Sequence, residues 1–236
     1  MSIKAIIYCD DISINQATDI EADYNNFFRF LKSQTSKTNS LKEYLLVSVD
    51  SGTNSLYRQE IIPDVIIGDM DSIQPEILEH YRELTTIIIH PSQKDETDTE
   101  LALNWCIEND IQEILFINRL QGNFAHSWGV VTLLFKARTK GIKAKISNFK
   151  ELIMLIPHSW SYRGILGKKI SLIPLTEVVT GVDTSGLGYP LRKEPLFWHS
   201  TRGLSNVFID SEIKICYDSG ELLVVMESTL EEILYE

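Results

Sequence analysis

Over residues 1–146, short apolar runs alternate with stretches whose apolar positions recur at helical spacing. Lys4–Cys9, Tyr44–Val49, Val65–Ile67, Thr86–Ile89, Glu113–Ile117 and Ile142–Ile146 are brief and each reads as a strand, Val65–Ile67 as a wholly β-branched one. Between them, Ala22–Leu31 sets Tyr24, Phe27, Phe28 and Leu31 on one helical face. Pro75 suits the first turn of a helix reaching about Arg82. Thr97 or Asp98 can cap a helix to about Asn109, with Leu101, Ala102, Trp105 and Cys106 on one side. Ala125–Lys140 reads as a long helix ended by Gly141. Strands alternating with helices in this way predict an α/β fold, a doubly wound and mostly parallel sheet.

The pattern changes near residue 148. Leu152–Ile156, Lys169–Ile173, Glu177–Val182, Val207–Ile209, Ile213–Tyr217 and Leu222–Met226 are strand-like, and no helical pattern intervenes until the last few residues. Gly164, Gly167, Gly186, Gly188, Pro190 and Ser219-Gly220 punctuate them as turns. The expectation is an all-β antiparallel sandwich over 148–236 behind an α/β domain over 1–147, with no flexible linker at the boundary.

Composition narrows the function classes. Hydrophobic residues are 44% of the chain, enough for a packed core, so wholesale disorder is excluded. The formal net charge of -11 disfavours unaided binding to a nucleic acid backbone or an anionic membrane. An acidic chain that handles phosphates needs metal cations to bridge the like charges. Cys9, Cys106 and Cys216 lie far apart, which is neither a disulfide framework nor a zinc motif, and reduced cytoplasmic thiols are the simple expectation. Ile3–Cys9 is too short for a signal peptide and runs into Asp10-Asp11. No stretch approaches the ~20 apolar residues of a transmembrane helix.

Candidate chemistry gathers where strands end. Val65–Ile67 leads into Gly68-Asp69-Met70-Asp71-Ser72, and Ile87–Ile89 leads on to Lys94-Asp95-Glu96-Thr97-Asp98. Asp50-Ser51-Gly52-Thr53-Asn54 follows the Tyr44–Val49 strand, although its residues are also ordinary turn formers. In a parallel sheet, residues just past the carboxyl ends of strands line the ligand crevice. Side chains two apart on extended backbone share a face, so Asp69 and Asp71 can point together. Like charges this close repel unless a cation intervenes, and Mg²⁺ favours carboxylate oxygens. A solvated acidic turn would look the same in isolation, but the repeat of the pattern in one sheet argues for a bowl of acids suited to phosphoryl or diphosphoryl transfer. Neither Gly-x-x-x-x-Gly-Lys-Ser/Thr nor Gly-x-Gly-x-x-Gly is present. Lys94 is the one base beside the acids.

These motifs resemble the thiamine pyrophosphokinase family. Its Asp-Gly-Gly, Pro-Asp-x-x-x-Gly-Asp-Phe-Asp-Ser and Asp-x-Thr-Asp stretches correspond to Asp50-Ser51-Gly52, Pro63–Ser72 and Asp95–Asp98. Its second-half motifs correspond to Ser171–Leu175, Thr184–Leu191 and Gly203–Asn206. The resemblance implies a homodimer that moves the β,γ-diphosphate of ATP to the hydroxyl of thiamine and releases AMP. It implies catalytic roles for Asp69, Asp71, Asp98 and Asp95, with Mg²⁺ on Asp69, Asp71 and Asp98. Either Asp71 or Asp98 could be the general base. Asp50, Ser51, Gly52, Asn54, Lys94 and His126 are expected at the nucleotide. Tyr189, Ser205, Asn206 and Thr184 are expected at thiamine, which lies between the sandwich of one subunit and the α/β domain of the other.

Two departures stand out. The family loop Gly-Gly-Arg-x-Asp-His is here Gln121-Gly122-Asn123-Phe124-Ala125-His126, so the arginine is Asn123 and the aspartate Ala125. Alanine cannot ligate a metal, and Arg119 nearby could restore positive charge. Val207 stands where many members have Glu. The alternatives are a diphosphokinase for another hydroxymethyl heterocycle, such as a pterin, and a degenerate protein that binds nucleotide or thiamine diphosphate without turnover.

Overall fold

The computed structural model describes residues 4–10, 20–35 and 44–234. It divides into two compact units, Met1–Phe149 with Leu230–Glu236, and Lys150–Thr229. The last helix of the chain thus belongs to the first unit.

In the first unit, β1 (Lys4–Tyr8), β2 (Tyr44–Val49), β3 (Val65–Gly68), β4 (Thr86–Ile89), β5 (Glu113–Ile117) and β6 (Lys143–Ser147) form a sheet in the order β6-β5-β1-β2-β3-β4. Every pairing among them is parallel. The helices are α1 (Glu21–Thr35), α2 (Gly52–Arg58), α3 (Pro75–Tyr81), α4 (Asp98–Glu108), α5 (Phe124–Thr139) and α6 (Leu230–Leu234). The chain winds outward from β1 to β4, then crosses back to lay β5 on the other side of β1. Strand direction of winding therefore reverses between β1 and β5, and ligands in such sheets bind in the crevice at that reversal.

Aromatic burial holds α1 in place. Tyr24, Phe27, Phe28 and Leu31 are all buried. Tyr8 of β1 stacks on Phe27 at 5.6 Å between ring centroids, and Phe149 lies 5.9 Å from Phe27 and 6.2 Å from Tyr24. On the β3–β4 side, Ile66, Met70, Ile73, Ile77 and Tyr81 form one apolar cluster, and the Tyr81 hydroxyl donates to the Ile61 carbonyl at 2.7 Å.

The helix α2 departs from the sequence-based expectation of a turn over Asp50–Asn54. Its sequence, Gly-Thr-Asn-Ser-Leu-Tyr-Arg, has weak intrinsic helix preference. Burial decides the matter, because Gly52, Thr53, Asn54, Ser55 and Leu56 are all enclosed. A Cβ on Gly52 would stand 2.8 Å from the Tyr8 carbonyl oxygen, so the helix can start against β1 only with glycine there.

The second unit is all β. One sheet runs β12 (Asn206–Val207), β9 (Lys169–Pro174), β14 (Leu222–Glu227), β7 (Glu151–Leu155), and the other β11 (Glu194–Phe197), β10 (Val178–Ser185), β13 (Glu212–Cys216), β8 (Ser159–Arg163). The pairings are antiparallel. Alternate residues face inward, Ile170 and Leu172 on β9 and Ile213 and Ile215 on β13. The strands β8 and β11 are additional to the expected set. Beyond Val207, the expected Val207–Ile209 strand is reduced to a single bridge from Phe208 to Leu187.

Candidate active site

The site of the first unit forms at the carboxyl ends of β1, β2, β3 and β5. Gly68 closes β3 with φ +156°, and a Cβ there would press to 3.2 Å from Cβ of Asp50. Met70 takes a left-handed backbone, φ +66°, and buries its side chain in the apolar cluster under α3. The neighbouring Asp69 and Asp71 consequently stay out of the core. The Asp71 amide donates to Asp69 Oδ1 at 3.2 Å. Ser72 Oγ lies 2.7 Å from Asp50 Oδ2 and 2.8 Å from Asp71 Oδ1, so one hydroxyl serves both acids. Asn54 of α2 donates from Nδ2 to the Ser72 carbonyl at 2.9 Å, which locks the loop after β3 to the start of α2.

Asp50, Asp69 and Asp71 each offer a carboxylate oxygen within 4.8 Å of the others. Oδ1 of Asp50 is buried without a hydrogen-bond partner. Burial pushes the Asp50 carboxyl up, Ser72 counters, and the charges of Asp98 and Asp71 push it up further. Asp69 is held down, first by the Asp71 amide and then by Ser92 and the Lys94 charge against some desolvation. The donor set is three hard oxygens, the type that Mg²⁺ takes.

Lys94 binds Asp98 Oδ1 at 3.0 Å and approaches Asp69 Oδ2 at 3.6 Å. Its side chain is only 12% exposed. Desolvation works against its charge, but Asp98 and Asp69 outweigh it and raise the lysine above its ordinary value. Thr97 caps α4 by accepting the Glu100 amide at 3.2 Å, which sets Asp98 in the first turn, where negative charge is favoured. Asp95 is exposed and outside the three-acid cluster.

A cavity of about 530 Å³ opens beside these acids. Asp50, Ser51, Asp98, Ala125 and His126 line it, together with Cys9, Asp10, Thr99, Asn118 and Gln121. Asn123 caps α5, accepting the Ala125 amide at 2.8 Å and the His126 amide at 3.4 Å. Asp10 has no counterpart in the sequence-based expectations. Its Oδ2 accepts the Arg119 amide at 2.6 Å, and burial pushes it up to about 6 against that hydrogen bond and the Arg119 charge. Its signal was its place, an acid at the end of the first strand, but only the strand order shows that this end borders the reversal. Burial also pushes the neighbouring Cys9 thiol up to about 12, so it stays protonated and is no nucleophile.

In the second unit, Asn206 is 5% exposed and spends its amide on Tyr189, accepting from its N–H at 2.9 Å and donating to its carbonyl at 2.7 Å. The Tyr189 side chain is 65% exposed. Thr184 is wholly buried and accepts the Leu191 amide at 2.8 Å. Both residues hold the 184–191 loop in shape. Ser205 is exposed, with a left-handed backbone at φ +55°.

A doubly wound α/β unit with a carboxylate-lined crevice at the ends of its strands, followed by an all-β unit, defines a two-part protein of the class that holds its ligand at the carboxyl edge of a parallel sheet. Residues 38–146 match the family model described as thiamin pyrophosphokinase, catalytic domain, and residues 158–222 match thiamin pyrophosphokinase, vitamin B1 binding domain. Thiamine pyrophosphokinase of Bacillus subtilis (strain 168) is 29% identical over 188 residues, covering 78% of this chain and 87% of the relative. Thiamine pyrophosphokinase 1 of Oryza sativa subsp. japonica is 29% identical over 174 residues, 69% of this chain and 65% of the relative. The crystal structure of the Bacillus subtilis protein superposes with a TM-score of 0.76 at 23% identity, covering 96% of this chain and all of that one. That of thiamin pyrophosphokinase from Candida albicans gives 0.73 at 17%, covering 96% and 89%. The chain belongs to the thiamine pyrophosphokinase family.

The Asp10 carboxyl generates a stability prediction. A carboxyl raised in the folded state binds its proton more tightly there than in the unfolded chain, so stability falls as pH rises from about 4 to 6. Asp10→Asn removes that loss. We expect it to unfold at higher urea than wild type at pH 7, by up to about 3 kcal/mol, with the gain vanishing near pH 4.

Proposed function

We propose that this protein is an ATP-dependent diphosphotransferase that makes thiamine diphosphate and AMP from thiamine and ATP. The observation that carries the reading is the cation-ready cluster of Asp50, Asp69 and Asp71, with Lys94 beside it, at the edge of a nucleotide-sized cavity. It occurs in a chain whose two parts match the catalytic and vitamin B1 binding domains of one family.

The residues fit Mg²⁺, because Asp50 Oδ1 is a buried acceptor without a donor and three carboxylates crowd together. Asp69 and Asp71 would hold it with Asp50, and Asp98 is the further ligand that the family resemblance implies. When bound, Mg²⁺ supplies charge neutralisation for the β- and γ-phosphates. Lys94 adds a point charge on the same side, steadied by Asp98. The Ser72 hydroxyl keeps Asp50 and Asp71 aligned. Asp71 or Asp98 would take the proton of the attacking thiamine hydroxyl. Asp95, Ser51, Gly52, Asn54 and His126 play supporting parts in this reading, Gly52 and Asn54 by shaping the α2 start. Tyr189 offers its exposed ring for stacking on the pyrimidine, and Asn206 and Thr184 position it. The free thiols suit a cytoplasmic setting. No helix among the described residues is long and apolar enough to cross a membrane.

AMP release in a mixture of protein, ATP, Mg²⁺ and thiamine, measured by chromatography, tests the reading. AMP should appear only when thiamine is present, and Asp71→Asn should cut the rate on the order of 10²-fold or more while the protein stays folded. Thiamine shared between subunits requires a homodimer, so sedimentation should give twice the 27.0 kDa chain mass. A monomer under assay conditions would sink the shared site. Ala125→Asp should lower turnover about tenfold, because Asp10, Asp50 and Asp98 already line the cavity and a further carboxylate adds repulsion toward phosphate. A rise in rate would instead mark the wild-type site as degenerate.

A further inference from the structure

The acid at the β1–β5 reversal is outside every role assigned above. Asp10 does not belong to the Asp50, Asp69 and Asp71 cluster, yet it lines the same cavity as Asp50 and Asp98. Its carboxylate is held rather than free to wander. Oδ2 takes the Arg119 amide at 2.6 Å, and the Cys9 amide donates to the Ile117 carbonyl at 3.1 Å, so the ends of β1 and β5 are tied together around it. The β5 end is tied in turn to β6 by the Asn118 amide on the Ser147 carbonyl at 3.1 Å.

We propose that Asp10 accepts hydrogen bonds from the ribose hydroxyls of the bound nucleotide. The proposal rests on the nucleotide reading of this cavity. The acids with Lys94 claim the phosphate end of the ligand, at the ends of β2 and β3. The end of β1 lies two strand steps from that of β3, roughly 10 Å away, the length of a triphosphate arm. The part of the nucleotide arriving beside Asp10 is then the sugar. A carboxylate there repels phosphate and suits hydroxyl donors, the chemistry by which an acid takes the ribose hydroxyl in dinucleotide-binding doubly wound sheets. The polar neighbours Asn118 and Gln121 complete a lining that can accept and donate around a sugar.

Equilibrium binding of ATP, 2′-deoxy-ATP and 3′-deoxy-ATP to the whole protein, with Mg²⁺ and without thiamine, tests this. A hydroxyl donating to a carboxylate predicts that at least one deoxy analogue binds wild type about tenfold to a hundredfold more weakly than ATP. In Asp10→Ala that gap should close to within about twofold, because the partner of the missing hydroxyl is gone. If wild type binds all three alike, or if Asp10→Ala weakens all three by the same factor, Asp10 merely anchors the Arg119 loop and the proposal is overturned while the nucleotide reading stands. If ATP itself does not bind, both fall. Should Asp10→Ala fail to fold, Asp10→Asn decides, since it still offers an oxygen to the Arg119 amide. The gap must then narrow by about threefold or more, and an unchanged gap overturns the proposal.

Discussion

Mutual repulsion among carboxylates is the constraint on which the site depends. Asp50, Asp69 and Asp71 converge within 4.8 Å and Asp98 stands near enough to raise Asp50, which the chain tolerates only by surrounding them with compensating groups. Lys94 neutralises Asp98 and Asp69, the Ser72 hydroxyl divides itself between Asp50 and Asp71, and the Asp71 amide serves Asp69. These partners leave Asp50 Oδ1 without a donor. That surplus of acceptors is stored at a cost in stability, the kind of strain that gathers at functional sites.

The fold sustains this crowding through backbone geometry. Parallel strands deliver their carboxyl ends to one edge, so loops distant in sequence meet there. Gly68 lets Asp50 pass close by, and the left-handed turn at Met70 anchors the Asp69–Asp71 loop by one apolar side chain. The buried helix α2 braces the same loop through Asn54. Moving any of these three contacts would shift carboxylates relative to one another, and electrostatic energy at these separations is steep in distance.

Strands were legible in the sequence wherever burial on both faces produced an unbroken apolar run, as in Val65–Ile67 and Ile114–Ile117. The helices α1, α4 and α5 were legible through apolar spacing or caps. Thr97 does accept the Glu100 amide. The misses have one cause, which is that local preference was weak and neighbours decided. Gly52–Arg58 is helical because β1 and β2 enclose it, against its own composition. Ser159–Arg163 is a strand because β13 pairs with it, although Trp160 and Tyr162 sit among serines. Glu194–Phe197 is likewise a strand by virtue of pairing with β10.

By itself the sequence determined the two-part architecture and singled out Asp69, Asp71 and Asp98 as candidates, because periodicity and motif spacing are local properties of the chain. It also carried the likeness of most of the chain to one family. Only the tertiary structure decided which acids meet, that Asp50 joins Asp69 and Asp71, and that Asp98 is held by Lys94. It also showed that Asn206 and Thr184 brace Tyr189 and its loop, since burial and hydrogen-bond partners are set by neighbours far along the chain. It alone brought Asp10 into the cavity that Ala125 also lines, because the strand order that places β1 next to β5 exists only once distant segments pair.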